Sequence, residues 1–232
     1  MSGMQNEDNF TDRSHLPFET SQFYGERKNT MSIIIRPENE NDYQEVENLT
    51  REAFWDLYHP GCSEHLIVHN IRKGSSFIPE LDFVALLEDK IVGNIIYTKS
   101  NVVDKDNIEH GVITFGPISV LSSCQKQGIG SALIAHTKKI AQAMGYKAII
   151  IFGNSAYYHR FGFENAANFA ISTAEGANFE AFMALELYKG GLQGITGRFY
   201  ADPVFDVNQE ELESFEKKFP YKEKHVTDTQ FK

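Results

Sequence analysis

The chain has 232 residues, 41% of them hydrophobic and 12% aromatic, with 22 Lys plus Arg against 32 Asp plus Glu and a formal charge of −10. That much apolar side chain excludes wholesale disorder, and so acidic a balance makes a poor non-specific partner for nucleic acid or anionic membrane. The two cysteines, Cys62 and Cys124, and the lack of any apolar run of membrane-spanning length exclude a disulfide framework, a thiolate zinc cluster and a membrane span, and point to a cytoplasmic globular protein.

Residues 1–30 are polar and without periodicity. They read as an N-terminal extension: a loosely held tail, a stretch upstream of a start at Met31, or an arm that packs on a partner subunit. From there the pattern changes. Ser32–Arg36 is a β-branched strand stopped by Pro37. Asn41 or Asp42 can cap a helix reaching about Trp55, with Val46, Leu49, Ala53 and Phe54 on one face. After the Pro60-Gly61 turn, Ser63 can cap a short helix through about Ile71. Leu81–Leu87 and Ile91–Val103 read as strands around a tight hairpin at Glu88-Asp89-Lys90.

Val112–Leu121 is the next strand, followed by a glycine-containing turn and a helix from about Ile129 to Met144, with Gly145 placed to end it. Its predicted inner face is Ile129, Leu133, Thr137, Ile140 and Met144. Lys147–Phe152 is a buried strand, then comes a short helix from about Ser155 to Arg160, and strands follow near Phe169–Ser172 and Glu180–Tyr188. Gly190-Gly191 divides this body, 31–190, from an extension, 191–232, with one more strand in 192–204 and a helix in 208–219 that carries Leu212, Phe215 and Phe219 on its apolar side. The polar last dozen residues are expected to fray. Hairpins followed by a right-handed β-α-β crossover give an α+β fold, an α/β sandwich with a mixed sheet.

The segment richest in chemistry is Gly116–Leu133, GPISVLSSCQKQGIGSAL. A helix N-terminus leaves four N–H groups without intrahelical partners and carries about half a positive charge. Glycine at 128 and 130 removes side chains that would keep a phosphate from those donors. The turn can therefore hold a diphosphate; it can equally be a tight strand-to-helix turn in which glycine only permits the backbone angles. Two other phosphate loops do not fit. No Walker run occurs, and the dinucleotide fingerprint fails because Leu133 stands where its third glycine belongs and no acid follows Phe152.

The pattern Val120-x4-Gln125-x2-Gly128-x-Gly130 after a strand resembles the acyl-CoA-binding signature of the GNAT superfamily of N-acetyltransferases. In register with it, Phe152–Phe163 reads FGNSAYYHRFGF, similar to that family's second signature, and with EAFMALEL it resembles a bacterial subgroup of predicted N-acetyltransferases. Ser122 stands where the family often has proline, and Gln125 where it often has arginine; neither change touches the backbone argument.

The resemblance implies a mostly antiparallel mixed sheet flanked by helices, with a splayed parallel pair formed by Ile118–Val120 and Ile149–Phe152. Gly116-Pro117 would help to bend the first of these strands. It implies acetyl-CoA as cosubstrate and no metal. It implies pantetheine paired with the backbone of Ile118 and Val120. It also implies a diphosphate held by the backbone of Gln125, Lys126, Gln127, Gly128, Ile129, Gly130 and Ser131, and a thioester carbonyl polarised by the Val120 N–H. Tyr158 matches the family's general acid, which serves the departing thiolate, although the aromatic residues beside it also fit core packing. Asn154 either fixes the turn or touches pantetheine, and Arg160 either pairs a carboxylate or meets a phosphate.

The acceptor is a small-molecule or peptide amine of unidentified kind, and the protein could pair as a homodimer. Candidates for the general base are Glu52, Asp56, His59, Glu64 and His65, with Thr114 a further candidate for the groove wall. His65 and His69, at i and i+4 near His59 and Cys62, have a spacing that can seat a metal, but no third ligand accompanies them and the plainer reading is a polar helix face. A non-catalytic acyl-CoA-binding module and a binder of another nucleotide stand as alternatives.

Overall fold

The structure, a computed structural model, describes residues 32–228 and Gln230, so the 1–30 extension lies outside the described residues. In chain order the elements are β1 (Ile33–Pro37), α1 (Tyr43–Phe54), α2 (Glu64–Ile71), β2 (Phe83–Leu87), β3 (Lys90–Val103), β4 (Glu109–Val120) and α3 (Ile129–Ala143). Then come β5 (Ala148–Phe152), α4 (Ser155–Tyr158), β6 (Glu164–Asn165), β7 (Ile171–Ser172), β8 (Phe182–Glu186), β9 (Gly197–Tyr200) and α5 (Gln209–Glu216).

Among the described residues the strands form one sheet in the order β1-β2-β3-β4-β5-β8-β6, with β9 added to the far half of β3 and β7 added to β9. The β4–β5 and β7–β9 pairs are parallel and the rest antiparallel. This is the expected mixed sheet. The two-residue turn joining β2 to β3 has positive φ at both Glu88 and Asp89, the geometry that matches the twist of a tight hairpin.

Alternation along β2 and β3 sends neighbouring side chains to opposite faces of the sheet. Phe83, Ala85 and Ile95 face α3, where they meet Ile129, Leu133 and Ile134; Val84 and Ile96 face α1 and α2, where they meet Val46, Leu49, Val68 and Ile71. The buried stripe of α3 is Ile129, Leu133, Thr137 and Ala141, with Gly130 and Ile134 beside it. The expected face holds as far as Ile140, which packs half-buried against this core, and fails at Met144, which is exposed at the end of the helix. Tyr97 and Thr137 share a buried hydrogen bond of 2.9 Å that ties α3 to the sheet. Gly145, at φ 83°, ends this helix as its position suggested.

Three other expectations need correction. The strand expected in 192–204 is limited to Gly197–Tyr200, because 190–194 are turns. Helix 208–219 is shorter, Gln209–Glu216, but Leu212, Phe215 and Phe219 do pack inward, against Leu66. The residues after Pro220 do not simply fray. Trp55 Nε1 donates to the Glu223 carbonyl at 2.9 Å, Lys222 pairs with Glu52 at 2.6 Å, and His225 pairs with Asp56 at 3.1 Å. These contacts tie the tail to the end of α1.

Candidate functional site

The β3–β4 ladder runs Ile95 opposite Ile118 and Tyr97 opposite Phe115, so Gly116 and Pro117 together face Ile96 alone. This bulge is the interruption expected of the Gly-Pro pair. Its consequence lies on the other side of β4. Parallel pairing with β5 is confined to Ile113 with Ile149, and toward Val120 the strands have parted. Leu121 N–H still donates to the Val92 carbonyl at 3.0 Å. By the two-residue alternation of an antiparallel ladder, Ile118 and Val120 then turn their N–H and C=O groups away from β3, toward the opened edge.

Beyond β4 the chain enters α3 through a turn in which Lys126 has φ 61° and Gly128 has φ 88°. Residues of this hand beside right-handed ones aim successive N–H groups into a concavity that suits an anion. The first hydrogen bond back from the helix is Ala132 N–H to the Gly128 carbonyl, at 2.9 Å. The N–H groups from Gly128 to Ser131 therefore lie ahead of the helical ladder, at its positive end. The side chain of Gln125 donates to the Val120 carbonyl at 3.1 Å and that of Gln127 to the Ser123 carbonyl at 3.2 Å, so both brace the loop.

The opened edge and this turn border one cavity of about 810 Å³. Every residue expected at the cofactor lines it except Gln127: Ile118, Val120 and Gln125 do, as do Lys126, Gly128, Ile129, Gly130 and Ser131, and so do Asn154 and Tyr158. Asn154 accepts the Tyr157 and Tyr158 N–H groups at its backbone carbonyl, 2.9 and 3.1 Å, which starts α4. Its side chain makes no capping bond. Arg160 lies over the Tyr157 ring at 3.9 Å and also lines the cavity.

Tyr158 is packed by Phe115, Tyr157 and Phe163, with ring centroids 5.9, 5.0 and 5.6 Å away. Burial raises its phenol well above the ordinary tyrosine range, helped by Tyr157 and Tyr58, so it stays protonated at neutral pH. It thus belongs both to the core and to the cavity. Gly153 also bears on this ring. A Cβ there would stand 2.3 Å from Tyr158 Cε2, so only glycine lets the ring lie in its present place. Phe152-Gly153-Asn154 gave no local sign of this contact.

The general-base candidates separate clearly. Glu64 and Thr114 line the cavity; Glu52, Asp56, His59 and His65 do not. Glu52 pairs with Lys222, and Asp56 accepts the Gly61 N–H at 2.7 Å and holds His225. His59 is exposed, 3.3 Å from the Pro60 carbonyl. His65 is fully buried beside Phe215 and Phe219, with Nδ1 3.4 Å from Cys62 Sγ and Nε2 3.0 Å from Glu216. Burial lowers its pKa from 6.5 to about 4, against the pull of Glu216. It is a neutral core histidine, not a groove residue, because α5 covers it. His69 turns to Glu47 at 2.8 Å, so the two histidines do not converge, and among the described residues no three metal-binding side chains cluster. Glu64, the first residue of α2, has its carboxyl group raised by burial and accepts the Ser63 N–H at 2.9 Å.

The cavity also has walls with no mark in the sequence. Phe54, Leu57 and Tyr58 come from the end of α1 and the turn after it, Ile67 from α2, and Ala201 and Phe205 from the segment after β9. The C-terminal segment thus lines the cavity at Ala201 and Phe205.

Residues 80–165 match the model of the acetyltransferase (GNAT) domain. Over 166 residues the chain is 26% identical to the uncharacterized N-acetyltransferase YhbS of Escherichia coli K12, covering 71% of this chain and 93% of the relative. The crystal structure of the GNAT family N-acetyltransferase YhbS from Escherichia coli, in complex with CoA, is similar with a TM-score of 0.69 and 23% identity, over 79% of this chain and 97% of that one. A GNAT family acetyltransferase from Brucella melitensis, in complex with acetyl-CoA, gives 0.61 and 24%, over 76% and 100%.

Proposed function

We propose that this chain is a member of the GNAT superfamily of N-acetyltransferases, as its match over residues 80–165 and its fold support, and that it moves an acetyl group from acetyl-CoA to a primary amine by direct attack in a ternary complex, in the cytoplasm. The observation that carries the proposal is a coincidence of place. The opened edge at Ile118 and Val120, the left-handed turn before α3 and the protonated Tyr158 all border one cavity.

Each part has a task in this reaction. The N–H groups of Gly128 to Ser131 receive the diphosphate, with Lys126 adding a local cation that counters the chain's net charge of −10. Arg160, over the Tyr157 ring on the cavity wall, meets a second phosphate. Pantetheine takes the position of the absent strand at the opened edge, pairing with Ile118 and Val120. The Val120 N–H faces the thioester oxygen as charge grows on it, a contribution of about 3 kcal/mol for a well-aimed donor. The amine nitrogen attacks the carbonyl carbon, the C–S bond breaks, and Tyr158 donates to the departing sulfur.

The test uses the full chain with acetyl-CoA and a panel of amines, reading free thiol and measuring acetyl-CoA affinity separately by calorimetry. Tyr158→Phe is expected to lower kcat about 100-fold and to leave that affinity nearly unchanged. Equal turnover in the variant removes Tyr158 from the mechanism. Failure to bind acetyl-CoA removes the whole reading, the non-catalytic acyl-CoA module included.

A further inference from the structure

We infer that the acceptor is a primary ammonium carried on an apolar stem, and that Glu64 is the carboxylate that receives its charge and its first proton. The inference rests on the acetyltransferase reading and deepens it. The polar parts of the cosubstrate have their partners along β4 and the turn before α3. The rest of the cavity is walled mainly by Phe54, Leu57, Tyr58, Ile67 and Phe205, and the hydroxyl of Thr114, also on the wall, is already bonded to that of Ser100 at 2.9 Å. Such a wall offers few partners to hydroxyl, carboxylate or additional ammonium groups, and a polar group buried without a partner is costly. A polyamine, an aminoglycoside or a free amino acid would bring several of these groups into it.

Among the described residues Glu64 is the one carboxylate on the cavity. Its neighbours are suited to a cation and a proton. Tyr58 stands beside it on the wall, and the two act on each other electrically, as do Tyr58 and Tyr158. Burial raises the Glu64 carboxyl, while the backbone N–H groups it accepts, that of Ser63 at 2.9 Å among them, pull it toward ionisation. A carboxyl so balanced can bind an ammonium ion as its counter-ion and accept a proton from it.

The proton count closes. The ammonium gives its first proton to Glu64, which passes it to solvent. The neutral nitrogen forms the C–N bond, and the sulfur leaves with the C–S electron pair and takes the proton of Tyr158. The second nitrogen proton restores Tyr158, so amide and free thiol form with one proton released.

The experiment compares 2-phenylethylamine and hexylamine with spermidine and glycine as acceptors for the full chain. It reads kcat/KM from released thiol and acetyl-CoA affinity by calorimetry. The apolar amines are expected to lead by about tenfold or more, the scale at which pocket contacts discriminate. Glu64→Gln should lower kcat/KM for them about 100-fold and remove the acid limb of its pH profile, with acetyl-CoA still bound. Phe205→Leu, a milder change than truncation, should narrow the lead over spermidine with melting temperature unchanged. Faster turnover of spermidine or glycine, an unaltered pH profile in Glu64→Gln, or acetyl-CoA binding with no turnover of either apolar amine overturns this inference and leaves the acetyltransferase reading standing. No binding of acetyl-CoA overturns both.

Discussion

The hydroxyl of Tyr158 is useful only where its ring is held, and the ring is held partly by what Gly153 lacks. Gly153→Ala places a methyl carbon 2.3 Å from Cε2 and 2.8 Å from Cδ2, inside any tolerable contact, so the ring must turn or slide. The expected result is a fall in kcat close to that of Tyr158→Phe, with a cooperative unfolding transition retained. If the methyl acts only by moving the phenol, the double variant is no slower than either single one, and a double-mutant cycle in kcat checks this. His65 supplies a second test. Its pKa is depressed in the folded protein, 6.5 to about 4, so below 6.5 the unfolded chain binds the proton first. The stability tied to this ring is complete above pH 6.5 and is lost as pH falls toward 4, by about 3 kcal/mol. Urea unfolding at several pH values should show that much less acid sensitivity in His65→Gln than in the parent.

At the scale of elements, the turn into α3 is where backbone conformation carries function. Gly128 has φ 88° and nothing within 4 Å of a Cβ built on it. Gly128→Ala therefore meets no clash, and its cost is that of holding an L-residue left-handed, about 1–2 kcal/mol of stability. Coenzyme A affinity should drop as well, because relaxing that angle re-aims the N–H groups; paired urea and calorimetry measurements separate the two effects. Much of this element was legible in advance. Gly128, Gly130 and the strand-helix order around them are local matters of dihedral need and of periods 2 and 3.6. That Ala141 joins Ile140 on the inner face of α3 while Met144 leaves it was not, because the spacing reads as amphipathic in either case until the sheet ends beneath the last turn.

For the whole molecule, the fold places a helix layer on each face of a sheet parted at β4 and β5, and the described residues from Ile33 onward form one compact unit. A ligand seated in that parting binds the folded chain alone. Acetyl-CoA at 100 times its dissociation constant should add about 2.7 kcal/mol to stability, and thermal unfolding with CoA, NAD and ATP should show the rise with CoA only.

By itself the amino-acid order determined the sheet-and-helix alternation, the glycine turn and the aromatic run around Tyr158, since each depends on residues within a dozen positions of one another. Only the folded arrangement decided that Glu64 meets the cavity while Glu52 and Asp56 turn to the C-terminal tail. The same holds for α5 sealing His65 away from water, and for Phe205 closing a groove begun by Phe54. Those outcomes join residues more than 100 positions apart, and their cause is packing between elements, which leaves no periodic trace along the chain.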